Sequence, residues 1–317
     1  MTEWHGEPNQ PSGAWTTERI EPDRLPEAIK VLVDGDAQAA VRFLDYAKAT
    51  TLRLDLVWSL LDEHGTVCGT VLVAPAAGRT AMFFASRPTR TAPIAEMGRL
   101  VNDAIRALDP TEVSLAQALI DPAAIVEHDV FSAGGFHRLA KLNYLERPIP
   151  RFRTIKAPSL AENVRIEPWD PRDRAMMLEL LERTYEDTLD CPGLSGLRAI
   201  NDILDGHLAS GVFTPSWWHL LFVDDAPEGV LLFNRSADGE TIELVYLGVS
   251  RCIRGLGLGN TLLRHGLAHL DDERGRAIVL AVDDLNAPAV RLYRRSGFRL
   301  AVKRVAFIRQ VAEPQGR

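Results

Sequence analysis

Val249-Ser250-Arg251-Cys252-Ile253-Arg254-Gly255-Leu256-Gly257-Leu258-Gly259-Asn260-Thr261-Leu262-Leu263 is the stretch on which the fold turns. An apolar, β-branched run, Thr241–Val249, leads into it, and an amphipathic helical pattern over 257–271 leads out. Glycines let backbone N–H groups approach a ligand with no side chain in the way. The start of a helix adds unpaired N–H groups and the positive end of the macrodipole. Together these predict a phosphate site, to which Arg254 adds a formal positive charge. Two better-known glycine motifs fail here. Counting G-x-G-x-x-G from Gly255 places Asn260 at the sixth position, and counting from Gly257 places Leu262 there. The Gly-Lys-Ser/Thr of a P-loop is absent. What remains is Arg254-x-x-Gly257-x-Gly259.

A second segment, Asn286-Ala287-Pro288-Ala289-Val290-Arg291-Leu292-Tyr293-Arg294-Arg295-Ser296-Gly297-Phe298, follows an apolar strand, Ala277–Val282. Asn286 or Ala287 can start a helix, Pro288 fits its first turn and Gly297 can end it. Ala289 and Tyr293 then share one face. The two motifs, with their separation, resemble the signature motifs of the GNAT N-acetyltransferase superfamily. The clear resemblance covers about 215–310.

That resemblance implies acetyl-CoA at a splayed pair of parallel strands. Its pyrophosphate would lie on the turn formed by Arg254, Gly255, Leu256, Gly257, Leu258, Gly259 and Asn260, with Asn286 nearby. Leu247 and Val249 would offer backbone groups to the pantetheine arm. Tyr293 matches the general acid that protonates the leaving thiolate, and Glu243 matches a strand position that often carries the general base. A backbone N–H on Leu247–Val249 would polarise the thioester carbonyl, so transfer to the amine is expected to be direct.

The chain repeats itself. Arg19-Ile20-Glu21-Pro22 recurs as Arg165-Ile166-Glu167-Pro168, and Val130–Leu139 aligns with Leu292–Leu300. The first half reads as a helical stretch over 24–47, strands Leu54–Leu61, Val67–Val73 and Thr80–Ala85, a helix over 93–108 and a strand Glu112–Ala116. The second reads as helices over 171–185 and 195–210, then strands Trp218–Val223, Gly229–Phe233 and Thr241–Val249. A short helix and a last strand close each half. The expectation is an α/β chain of two tandem GNAT-like domains, 1–150 and 151–317, each a mixed, mostly antiparallel sheet flanked by helices. A proline-rich, basic link near Arg147–Asn163 marks the boundary.

The first half lacks the chemistry. Phe131 stands where Tyr293 does, with no proton to give, and Ala124 replaces Asn286. Its turn, Ala85–Pro93, holds two prolines and no glycine. It reads as a degenerate, non-catalytic copy.

The acceptor pocket is expected from the loop after the first helix of the second half. Glu182–Pro192 carries four acids against one arginine, an acidic rim suited to a cationic amine. Tyr185, Asp187, Asp190 and Trp218 are its candidate substrate-binding residues. Trp217 and Trp218 fit either core or pocket wall.

Composition bounds the rest. With 317 residues, 46% hydrophobic and 25% charged, the chain is an ordinary globular protein of about two domains. A net charge of −7 argues against a protein that grips nucleic acid backbone. No apolar run approaches a membrane span, and the first residues show no signal-peptide pattern. Three cysteines without a Cys-x-x-Cys suggest a reduced, cytoplasmic protein. No metal is expected, because the eight histidines show no H-E-x-x-H spacing. His265 and His269 read as an exposed or partly packed pair. The expected activity is acetyl-CoA-dependent N-acetylation of a small-molecule amine. The competing expectations are a non-catalytic acyl-CoA-binding regulatory module and a protein or peptide N-acetyltransferase.

Overall fold

The computed structural model describes residues 15–49, 53–149, 155–237, 239–270 and 275–311. The N-terminal stretch and the middle of the 147–163 link lie outside the described residues. The first half runs β1 (Thr16–Arg19), α1 (Leu25–Leu32), α2 (Ala37–Ala49), β2 (Val57–Leu61), β3 (Val67–Ala76), β4 (Thr80–Ala85), α3 (Ile94–Arg106), β5 (Leu115–Ile120), α4 (Ile125–Ala133) and β6 (His137–Pro148). The second runs β7 (Val164–Pro168), α5 (Arg174–Tyr185), α6 (Ile200–Ala209), β8 (Val212–Val223), β9 (Ala226–Arg235), β10 (Thr241–Val249), α7 (Leu258–His269), β11 (Ala277–Asp283), α8 (Ala287–Arg295) and β12 (Arg299–Gln310). The two halves carry the same elements in the same order.

The local reasons are mostly those of the sequence. In α3, Met97, Leu100, Val101, Ala104 and Ile105 recur at helical spacing and are buried. At the start of α8 the Asn286 side chain accepts from Ala289 N–H at 3.3 Å, and Gly297 at φ +87° ends the helix. The single helix expected over 24–47 is two. Asp34 and Gly35, at φ +57° and +82°, turn the chain between α1 and α2, and this Asp-Gly signal was passed over in the sequence. The strand expected at Glu112–Ala116 begins later. The N–H groups of Glu112 and Val113 donate to the Asp109 carbonyl, so Glu112 belongs to a turn.

Among the described residues, twelve strands form one sheet in the order β1-β2-β3-β4-β5-β12-β6-β11-β10-β9-β8-β7. Only β4 with β5 and β10 with β11 run parallel. The last strands are exchanged. β6 lies two places from β5, and β12 fills the gap; β12 lies two places from β11, and β6 fills that gap. The expectation that each half closes on its own last strand is therefore corrected. Because the halves are copies, each offers the other an equivalent hydrogen-bonding slot, as in domain swapping. β6 and β12 pair antiparallel at the centre of the sheet, with one register shift near each end. The cores follow the exchange. Val305 and Phe307 of β12 join the core under α3 and α4, and Leu145 of β6 joins the core under α7 and α8.

α5 and α6 cover one face of the second half of the sheet, and α7 and α8 cover the other. Gly266 lets α7 lie close on β9. A Cβ there would collide with a Leu231 methyl and come within 2.7 Å of the Phe233 ring. No helix among the described residues is long and apolar enough to cross a membrane.

Candidate active site

β10 and β11 pair only over Thr241–Glu243 with Ala277–Val279. Against β9 the register shifts between Leu244 and Tyr246, so Val245 is an extra residue. A bulge of this kind raises local twist and bends the strand, here where β10 leaves β11. A cleft of about 1030 Å³ opens beyond it, lined by Leu247, Val249, Gly255, Gly257, Gly259, Asn260, Asn286 and Tyr293 among others. β4 and β5 likewise pair over three residues, but β4 meets β3 in unbroken register, without a bulge.

The glycine turn forms the floor of one end. Gly255 and Gly257 sit at φ +82° and +83°, where a side chain would be strained. A Cβ on either would meet nothing within 4 Å, so the space above the turn is open. Gly257 is the N-cap of α7, and the N–H groups of Leu258 and Gly259 belong to its first turn, where helices have no internal acceptors. Leu256 points to solvent, 69% exposed, and the Leu258 side chain packs on the core, so only their backbones can serve a ligand. This is the chemistry a pyrophosphate requires, and the residues fit it.

Arg254 has a different place from the one its charge suggests. Its guanidinium donates to the carbonyls of Val249 at 3.3 Å, Asp187 at 3.1 Å, Thr184 at 3.0 Å and Glu186 at 2.7 Å. Four of its five N–H groups are so used. Arg254 ties the glycine turn to the C-terminal end of α5, where carbonyls and the negative end of the dipole favour a cation. In this arrangement the guanidinium braces the turn from the α5 side.

Tyr293 projects from α8 into the cleft and is 7% exposed. Burial, with the Asp190 carboxylate and Tyr246 nearby, holds its phenol well above the usual value. It stays protonated at any working pH. Asp190 lines the same cleft, and burial raises its carboxyl. Its Oδ1 accepts from Asp283 N–H at 2.8 Å, and Asp283 Oδ2 accepts from Cys191 N–H at 3.2 Å. These reciprocal bonds fasten the loop after α5 to the end of β11.

Tyr185 lies behind this wall, stacked on Tyr246 with centroids 5.0 Å apart. His207 also stacks on Tyr246, at 5.4 Å, and its Nε2 meets the Tyr185 hydroxyl at 3.2 Å. Tyr246 donates to Thr184 Oγ1 at 2.9 Å. Burial, with the Arg198 charge, pushes His207 down to about 4. Sequence reasoning missed Tyr246 and His207; the lone aromatic inside the β10 run was the available signal.

Two expectations need revision. Trp218 is fully buried, stacks on Trp169 and donates to Asn234 Oδ1 at 2.8 Å, so it is core and lies outside the cleft lining. The acidic rim is partly paired: Arg251 meets Asp187 at 2.7 Å, while the rim's own Arg183 turns away to Glu228 at 3.5 Å.

Glu243 is outside the cleft lining. It is partly buried, and its Oε2 accepts from Ser210 Oγ at 2.8 Å. Burial raises the phenol of Tyr144, and the nearby Glu243 carboxylate raises it further. Tyr144 comes from β6, the exchanged strand of the first half. No sequence motif announces it, because its place depends on the exchange.

In the first half, Phe131 is buried in the core and Ala124 caps α4 without any side-chain bond.

Residues 177–298 match the model of the Acetyltransferase (GNAT) family. A mycothiol acetyltransferase of Thermobispora bispora is 33% identical over 172 residues, 52% of this chain and 55% of that protein. Another, of Thermomonospora curvata, is 30% identical over 170 residues, 53% of this chain and 54% of that protein. The chain thus spans about half the length of the curated relatives it matches. Among solved structures, a GCN5-related N-acetyltransferase from Sphaerobacter thermophilus aligns with 96% of this chain and 97% of its own, at TM-score 0.60 and 18% identity. A tandem GNAT protein from the clavulanic acid biosynthesis pathway aligns with 96% of this chain and all of its own, at TM-score 0.54 and 13% identity. These two share the fold over both halves. The family match over 177–298, the splayed strands and the glycine turn agree on a GNAT acetyltransferase region in the second half.

Proposed function

We propose that this protein moves an acetyl group from acetyl-CoA to the primary amine of a small molecule. The observation that carries the reading is Tyr293, a protonated phenol buried in the cleft that opens between β10 and β11, beside the glycine turn. The backbone N–H groups of the turn and of the start of α7 would hold the pyrophosphate. The parted edge of β10 at Leu247–Val249 would take the pantetheine arm, and one of its N–H groups would polarise the thioester carbonyl. Acetyl-CoA supplies the activated acyl group.

Tyr293 donates its proton to the departing thiolate. Glu243 takes the proton of the incoming amine, from the side of the sheet where Ser210 and Tyr144 accompany it. Asp190 positions the loop between these two groups. The first half supplies Tyr144 and no chemistry of its own. The name borne by the curated relatives supports a small-molecule acceptor; the acceptor-side segments carry no closer assignment.

The test is release of free thiol from acetyl-CoA across a panel of small amines and peptide N-termini. Turnover with a small amine supports this reading. Tight CoA binding with no thiol released would make the protein a binding module. Turnover confined to peptides would move the acceptor to another class.

A further inference from the structure

His219 occupies an apolar layer. On β8 its neighbours on the same face, Trp217 and Leu221, belong to the core under α7. An imidazole in that row is out of pattern, and His219 is only 1% exposed. Its Nδ1 has no hydrogen-bond partner. Buried polar atoms normally find partners, and an orphan of this kind calls for a reason.

Two more imidazoles face it. His265 and His269 are four apart on α7 and share one side of the helix. Ring centroids are 4.9 Å from His219 to His265, 4.9 Å from His219 to His269, and 4.3 Å between the helical pair. One ring nitrogen from each lies within 4.8 Å of the other two. The three grade from buried through half-buried to exposed, so the cluster reaches solvent at His269.

We propose that His219, His265 and His269 form a binding site for a divalent borderline metal ion, with Zn²⁺ the leading occupant. Three imidazoles on one strand and one helix give a three-nitrogen face with the fourth position open to water. A tetrahedral Zn²⁺ with bonds of about 2.0–2.1 Å needs nitrogens about 3.4 Å apart. Side-chain rotation of about 1 Å reaches that spacing. The His269 Nδ1–H donates to the His265 carbonyl at 3.0 Å, which fixes the tautomer and leaves Nε2 as the free lone pair. Burial and mutual proximity hold His219 at about 3 and His265 at about 4, so both rings are neutral near pH 7. The site stands apart from the acyl-transfer chemistry. It would brace the far end of α7, whose first turn begins at the glycines, against β8.

The experiment is zinc binding to the full chain, read as metal per chain after dialysis, with Co²⁺ as a spectroscopic substitute. Wild type should retain one Zn²⁺ and give the visible bands of tetrahedral Co²⁺. His269→Gln and His265→Gln should each weaken zinc binding by at least about 10²-fold and remove those bands. His269 is exposed, so its variant should fold, and circular dichroism checks this. Zinc should also raise the wild-type Tm by at least about 3 °C and leave both variants unmoved. Failure of wild type to bind zinc at micromolar concentration would overturn the proposal. Equal binding by the folded His269→Gln protein would do so too, by placing the metal elsewhere, for example at the thiol of Cys252.

Discussion

Tyr293 and Phe131 stand 162 residues apart at equivalent points of the two halves, each set edge-on against a phenylalanine five positions later. Tyr293 meets Phe298 at 5.8 Å and 66°, and Phe131 meets Phe136 at 5.2 Å and 86°. The packing is the same, and one oxygen separates the two. That oxygen sits in a wide cleft in one half and has no counterpart in the other. Tyr293→Phe is expected to keep the fold and the affinity for CoA while lowering turnover by about 10²–10⁴-fold. Single-turnover thiol release alongside calorimetric CoA binding checks this. Near-normal turnover would reduce Tyr293 to a packing residue.

Glu243→Gln should lower activity most at low pH, where little free amine exists, and recover in part as pH rises. Asp190→Asn should show no such profile, and instead raise KM by loosening the acceptor loop. The comparison is a pair of pH–rate curves. An unaltered profile for Glu243→Gln would remove it as the base.

Arg254→Ala should cost about 2 kcal/mol of stability, because carbonyls at the end of α5 lose their donors. CoA affinity should fall together with it, since the glycine turn loses its anchor. Urea unfolding and CoA titration on the same variant test the link. Weakened CoA binding with unchanged stability would return Arg254 to the direct charge role read from the sequence.

His207 gives a pH dependence of stability. Its folded value of about 4 is below the unfolded 6.5, so the unfolded chain binds the extra proton between them. Its contribution is complete above pH 6.5 and is lost as pH falls to about 4, by at most about 3 kcal/mol. His207→Gln should flatten that part of the curve, measured by urea unfolding at pH 7 and pH 4.5. An equal acid loss in the variant would assign it to other groups.

Local chemistry was readable from local sequence. The glycine turn, the Asn286 cap and the Phe131 substitution are all short-range signals, and each describes what the structure holds. What escaped was long-range. Arg254 carries a charge in the sequence, but only the fold shows four carbonyls gathered around it. Trp218 reads the same whether it lines a wall or fills a core. His219 lies 46 residues before His265, a separation that no helical spacing rule spans. Tyr144 is the furthest case, since its neighbourhood with Glu243 is created by a strand from the other half.

The exchange of β6 and β12 also bears on how such a chain can change over generations. A duplicated half whose site is not needed would ordinarily be free to shrink or be deleted. Here deletion is barred, because removing 1–150 would strip β11 of its neighbour, Leu145 from the core and Tyr144 from beside Glu243. The first half is tied in as scaffold for the partner it completes, since its last strand lies inside the other half's sheet.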